Sequence, residues 1–135
     1  MDIAGSGMSA QSIRLNTTSS NLANAQSVSS SAEGTYKARK PVFETMHYDQ
    51  MNHSLDGAQS SGVQVSHIME ADTPLQARHE PSHPKANEEG YVYYPNVNVV
   101  EEMADMIAAS RSYQMQIEVM NTAKQMLQRT LTLGQ

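Results

Sequence analysis

His79-Glu80-Pro81-Ser82-His83 carries the H-E-x-x-H spacing of zinc hydrolases. On a helix, two imidazoles four residues apart share one face and bind the metal, while the glutamate acts as base on metal-bound water. That chemistry requires the helix, and this segment resists one. Pro81 has no N–H to donate, and Pro84 drives His83 away from helical angles. An extended, proline-rich connector is expected instead, and metal-dependent hydrolysis at His79 and His83 stands only as the enzyme alternative. His47, His53 and His67 stand in polar or strand-like settings and are expected to be solvated. Gly5 and Gly7 do not open a phosphate loop, because no Lys-Ser pair or preceding strand accompanies them. The expectation is therefore a protein with no catalytic residue, no metal and no cofactor.

The elements that would hold any site are unevenly built. The chain has 135 residues, 39% hydrophobic and 17% charged, with one Phe, no Trp and no Cys. Close to a third of its positions are Ser, Thr, Asn or Gln, so a single small domain with a thin core is expected. A net charge of -5 speaks against nucleic acid or an anionic membrane as the main partner, since both are held by excess Lys and Arg. Lack of cysteine removes disulfides, thiol catalysis and thiolate metal sites. The first ten residues lack a basic head and an apolar run, so a cleaved secretory signal is not expected, and no stretch has the composition of a membrane span.

Three zones follow from the pattern along the chain. Residues 1–32 place Met8, Leu15 and Leu22 at intervals of seven, with Ala4 and Ala25 on the same side of a helical wheel. Gly5, Gly7, Thr17 and Thr18 weaken this helix, which therefore needs a partner. Asn21 and Asn24 are expected to hydrogen-bond through their side chains near its end, before a serine-rich loop closed by Gly34. Residues 33–97 contain every histidine and proline and several short extended pieces, around Lys37 to Phe43, Val63 to Val65 and Tyr91 to Tyr94, which suggest a small β insert. The stretch 46–61 between them reads as a polar, mobile loop or hairpin tip. The basic run Lys37, Arg39 and Lys40 fits the wet face of a strand, with an acidic neighbouring subunit as the sharper alternative.

Residues 98–135 give the strongest signal. Asn98 is placed to cap a helix with Glu101, Glu102 and Asp105 near its positive end, Lys124 and Arg129 toward the other, and Gly134 as its stop. Alternate steps of four and three from Val99 pick out Met103, Met106, Ser110, Tyr113, Ile117, Met120, Lys124, Leu127 and Leu131, a heptad seam. Burying its eight apolar members, at about 1.5 to 3 kcal/mol each, falls short of ordering the backbone of a helix of that length at about 1 to 2 kcal/mol per residue. The seam must be covered, and the shorter first helix cannot cover all of it. Its methionine content suits a surface that meets several different neighbours.

Taken together, Met8-Ser9-Ala10-Gln11-Ser12, Leu15-Asn16 and Ser20-Asn21-Leu22-Ala23-Asn24-Ala25 resemble the N-terminal signature of bacterial flagellar axial proteins. Tyr94-Pro95-Asn96-Val97-Asn98-Val99-Val100-Glu101-Glu102-Met103, Ser110-Arg111-Ser112-Tyr113 and Asn121-Thr122-Ala123-Lys124-Gln125-Met126 resemble the matching C-terminal end. The resemblance covers nearly the whole chain and is poorest over residues 46–61. It implies a structural subunit of the proximal rod of the flagellar basal body, the torque-transmitting shaft that crosses the periplasm. It also implies delivery by the flagellar type III export apparatus without a cleaved signal. The implied partners are other copies of the chain, other proximal and distal rod proteins, the adaptor between rod and membrane ring, and the export apparatus, with no nucleic acid and no membrane span.

The expected architecture is mainly α with a small β insert. Residues 1–32 and 98–135 form a coiled-coil-like inner domain of paired N- and C-terminal helices, and the extended or β-structured middle, 33–97, faces outward. The residues expected to carry assembly are Leu15, Asn21, Leu22, Asn24, Met103, Met106, Tyr113, Ile117, Met120, Leu127 and Leu131. A soluble coiled-coil adaptor binding one partner is the alternative within the interaction class, and it would stay a small complex rather than enter basal bodies.

Overall fold

A computed structural model of the chain describes residues 2–47 and 61–134. Helix α1 (Asp2–Ala23) and helix α2 (Val99–Leu133) lie side by side, and four strands occupy the sequence between them. Strands β1 (Arg39–His47) and β2 (Ser61–Glu70) pair antiparallel, as do β3 (Gln76–His79) and β4 (Tyr91–Tyr94). The mainly helical fold with a small β insert is thus as the sequence pattern predicts.

Helix α2 starts where its capping chemistry places it. Asn98 Oδ1 accepts the Glu101 N–H at 3.3 Å, satisfying a donor that has no intrahelical partner, and Glu101 and Glu102 fill the first turn. The far end differs from expectation in one detail. Because the helix continues to Leu133, Lys124 and Arg129 lie before its last turn, which carries no basic residue. Gly134 ends it in a right-handed conformation, its N–H donating to Thr130 O at 3.0 Å.

The helices run antiparallel. Gly7 of α1 lies beside the Gln116 side chain, and Arg14, one heptad further along, reaches back to Asp105. At 35 residues against 22, α2 exceeds α1 by 13 residues, about 20 Å of helix. The register puts that excess at the C-terminal end: Ala123 is the last half-buried residue, and everything from Lys124 to Gly134 is exposed.

Hairpin β1–β2 lies along α1, where the Val63 N–H donates to Ser6 Oγ at 3.1 Å. A bulge between Val42 and Phe43 leaves Ser66 without an opposite residue, since Val42 faces His67 and Phe43 faces Val65. Of the stretch expected to be a loop, Met46 and His47 end β1 and Ser61 begins β2; 48–60, and His53 with it, lies outside the described residues. The β3 strand is absent from the sequence reading, because all four of its residues are exposed and show no alternation. Ser29 extends this second sheet, exchanging two backbone hydrogen bonds with Tyr93 at 3.1 and 2.9 Å.

Two asparagines join these pieces. Asn21, 1% exposed, connects α1 to the start of β1. Asn96 accepts the Ala38 N–H at 2.7 Å and donates to Ala71 O and Thr73 O at 3.1 and 2.8 Å, fastening the approach to α2 onto the chain just before β1 and just after β2. The apolar core is small: the buried hydrophobic residues described are Ala4, Ala10, Ala25, Ala38, Ala109 and Val92. Side-chain amides therefore do much of the positioning that large apolar residues do in ordinary domains.

Candidate assembly surface

The inner face of α1 is small and polar. Two heptad series, Ala4, Gln11, Thr18 and Gly7, Arg14, Asn21, supply most of it, the first reaching Ala25 just past the helix end, and all are buried or half-buried. Met8, Leu15 and Leu22 sit on the rim of this face, half-buried. Asn24 stays local, its Nδ2 donating to Ser20 O at 2.9 Å in the last turn of the helix.

Helix α2 meets that face with a mixed row, in which Glu102, Ala109, Gln116 and Ala123 alternate with the larger Met106, Tyr113 and Met120. The row turned toward α1 is Glu102, Met106, Ala109, Tyr113, Gln116, Met120 and Ala123, with Ala109 fully buried. Met106, Tyr113 and Met120 of the expected seam belong to this row, and Ile117 borders it, half-buried. At the alternate positions the row uses the residue one earlier than the seam: Glu102, Ala109, Gln116 and Ala123 in place of Met103, Ser110, Ile117 and Lys124. One residue is about 100° of helix, so the apolar seam and the contact face diverge. The cause is steric. Gly7 leaves just enough room for the Gln116 side chain, whose amide nitrogen would be 2.9 Å from a Cβ added there, and small partners let the two backbones approach.

The remaining bulky apolar residues are consequently left outside. Val99, Val100, Met103 and Ile107 are exposed near the start of α2. Further along, Met115, Val119, Met126 and Leu133 fall at helical spacing on another face, with Met115 and Met126 66% and 64% exposed. Met115, Glu118, Val119, Thr122, Ala123 and Met126 line a shallow groove of about 450 Å³ along this second row, which the single-seam reading missed although the 4-3-4 spacing of Met115, Val119, Thr122 and Met126 is present in the sequence. Leu127 and Leu131 are exposed on the overhang. Large apolar side chains exposed in rows like these are more than the scattered single residues of an ordinary surface.

The features weighed as chemistry are otherwise engaged. His79 ends β3 with its ring edge-on to Tyr91, centroids 5.0 Å apart. Tyr94 OH donates to the Glu80 carboxylate at 3.2 Å, and the His83 N–H closes a turn onto Glu80 O at 3.0 Å. The Lys85 N–H donates to His83 Nδ1. Strand end and turn replace the helix that H-E-x-x-H requires, so the two imidazoles do not share a helical face. Among the described residues no group of three His, Asp or Glu side chains is gathered as a metal site. In the basic run, Lys40 pairs with Glu101 of its own α2 at 3.3 Å, and Arg39 lies over the Tyr36 ring at 5.6 Å.

Paired terminal helices with unfilled apolar rows are the geometry of an assembly subunit, and the comparisons agree. A family model described as flagella basal body rod protein matches residues 1–28, and one described as flagellar basal body rod FlgEFG protein C-terminal matches residues 88–133. The flagellar basal-body rod protein FlgC of Escherichia coli O157:H7 is 46% identical over 134 residues, covering 99% of this chain and 95% of that protein. The chain belongs to the FlgC family of flagellar basal-body rod proteins. FlgC of Salmonella typhimurium shows the same identity and coverage, and FlgC of Borreliella burgdorferi is 32% identical over 149 residues, covering 100% of this chain and 95% of its own. As a member of the FlgC family the chain is a structural rod subunit of the flagellar basal body and not an enzyme. The two family models cover the two helices, which form the pair and its exposed rows, and β4. No helix among the described residues is long and apolar enough to cross a membrane.

Proposed function

We propose that the chain is a subunit of the proximal rod and that the exposed rows of α2 are completed by neighbouring subunits, so that the helices of many copies share one core. The observation that carries this is the 13-residue excess of α2 over α1, with Leu127, Leu131 and Leu133 all exposed on it. Residues 1–32 and 98–135 act as an inner domain and 33–97 as an outward one. Within the inner domain, Met106, Tyr113, Ile117 and Met120 hold α2 against α1. Leu15, Leu22, Met103, Leu127 and Leu131 extend to neighbours, and Asn21 and Asn24 serve by fixing the end of α1.

A shaft that transmits torque must spread load over buried area, and long helices packed side by side do so. Contacts between unlike faces of successive subunits build an open helical tube rather than a closed pair. The neighbours are other copies, other proximal and distal rod proteins, and the adaptor to the membrane ring. Passage to the periplasm proceeds through the flagellar type III export apparatus without a cleaved signal. A core of alanines and side-chain amides suits that route, because it is stable enough to order on contact with neighbours and costs little to unfold.

The test is to isolate basal bodies from cells producing the chain and resolve the rod by electron microscopy. The chain is expected inside the rod, with the α2 overhang packed against other helices. Its absence from washed basal bodies, with recovery in a small soluble complex, would establish the adaptor alternative.

A further inference from the structure

We propose that Met115 and Met126 are sites of reversible sulfur oxidation, and that their sulfoxides close the α2 row to neighbouring subunits. The second half rests on the assembly role proposed above. With no cysteine among 135 residues, thioethers are the only sulfur that an oxidant meets in this chain. The fold divides the methionines of α2 into two sets. Met106 and Met120 are half-buried in the row turned toward α1, whereas Met103, Met115 and Met126 are 54%, 66% and 64% exposed. Met115 and Met126 stand three helical turns apart on one face, with Val119 between them, and all three line the same groove.

The co-reactant is a peroxide. A sulfur lone pair attacks one peroxide oxygen, the O–O bond breaks, that oxygen stays on sulfur and the other leaves as water, so sulfur loses two electrons and peroxide gains them. A sulfoxide reductase using thiols reverses the step: the oxygen leaves as water while two thiols become a disulfide. The modified side chain is polar and chiral, with a strong acceptor oxygen, in a groove where Val119 and Ala123 offer no donor, the Glu118 carboxylate accepts, and the Thr122 hydroxyl is the one side-chain donor for two sulfoxides. An apolar partner helix would bury at least one of the two oxygens without a hydrogen bond.

The experiment treats the purified full chain with limiting hydrogen peroxide and maps the added oxygen by peptide mass spectrometry, alongside isolated basal bodies treated in the same way. In the free chain Met115 and Met126 should oxidise roughly threefold or more faster than Met106 and Met120; equal rates overturn the site. In basal bodies Met115 and Met126 should be protected; if they react there as fast as in the free chain, the assembly role of the row fails while the oxidation site stands. The polar pair Met115→Gln with Met126→Gln should lose incorporation into basal bodies, and Met115→Leu with Met126→Leu should keep it under peroxide. Normal incorporation of the Gln pair, or loss of it in the untreated Leu pair, overturns the claim that added polarity closes the row.

Discussion

Asn21 and Arg39 bond to each other in both directions: Asn21 Nδ2 donates to Arg39 O at 2.8 Å, and Asn21 Oδ1 accepts the Arg39 N–H at 3.0 Å. The side chain of α1 thereby takes the place of a neighbouring strand for the first residue of β1. Tyr36 OH donates to the same oxygen at 2.8 Å, so the amide makes three hydrogen bonds from a nearly inaccessible position.

Replacing this amide should be costly. Asn21→Ala leaves the Arg39 N–H and C=O without partners and is expected to destabilise the subunit by about 2 to 4 kcal/mol. Tyr36→Phe, which removes the bond to Asn21 Oδ1 and the one shared with Ser20 Oγ but leaves Asn21 paired with Arg39, should cost about 1 to 2 kcal/mol. Urea unfolding followed by circular dichroism measures both; a loss for Asn21→Ala no larger than for Tyr36→Phe would show that the backbone pairing contributes nothing.

Two glycines should respond with opposite signs. Gly90 has φ of 83°, and a Cβ there would lie 3.1 Å from His79 Nε2 and 3.3 Å from Pro81 Cγ. Gly90→Ala is therefore expected to destabilise by about 1 to 2 kcal/mol. Gly5 lies inside α1 with nothing within 4 Å of an added Cβ, so Gly5→Ala should stabilise by about 0.5 to 1 kcal/mol. Thermal melting of both variants against the parent chain checks the pair, and a shift in the same direction for both would contradict it.

Arg14 and Asp105 link the helices at 3.4 Å, with side chains 27% and 36% exposed. Partial exposure limits the pair, and a double-mutant cycle with Arg14→Ala and Asp105→Ala should give a coupling of about 0.2 to 1 kcal/mol that falls as salt is added. A coupling of several kcal/mol, unaffected by salt, would mean the pair is far better shielded than its geometry indicates.

Of the segment 127–135, the described residues 127–134 are all exposed, beyond the reach of α1. A chain truncated by that segment is expected to keep the unfolding free energy of the full chain to within about 0.5 kcal/mol, as for other surface changes, yet fail to enter basal bodies. In the untruncated chain, amides of 124–133 should exchange rapidly in the free subunit and slowly in the rod. Motility in a strain carrying only the truncated chain would rule out an assembly role for this segment.

The sequence by itself determined a good deal. Asn98 with Glu101 marked the start of α2, proline at positions 81 and 84 removed the helix on which a zinc site depends, and the two terminal motifs identified the family. These are local signals, in which one residue's backbone preference acts within a few neighbours. The placement of Asn96, which joins Ala38, Ala71 and Thr73 from distant parts of the chain, has no such signal, and neither does the exposed strand β3. Tertiary structure alone decided which face of α2 turns inward. Apolar spacing marks Met103, Ile117 and Leu127 as surfaces that seek cover without saying what covers them. Because α1 offers only Ala4, Gly7, Gln11, Arg14 and Thr18, close approach of two backbones selects Ala109, Gln116 and Ala123 as its partners, and the larger side chains remain for other molecules.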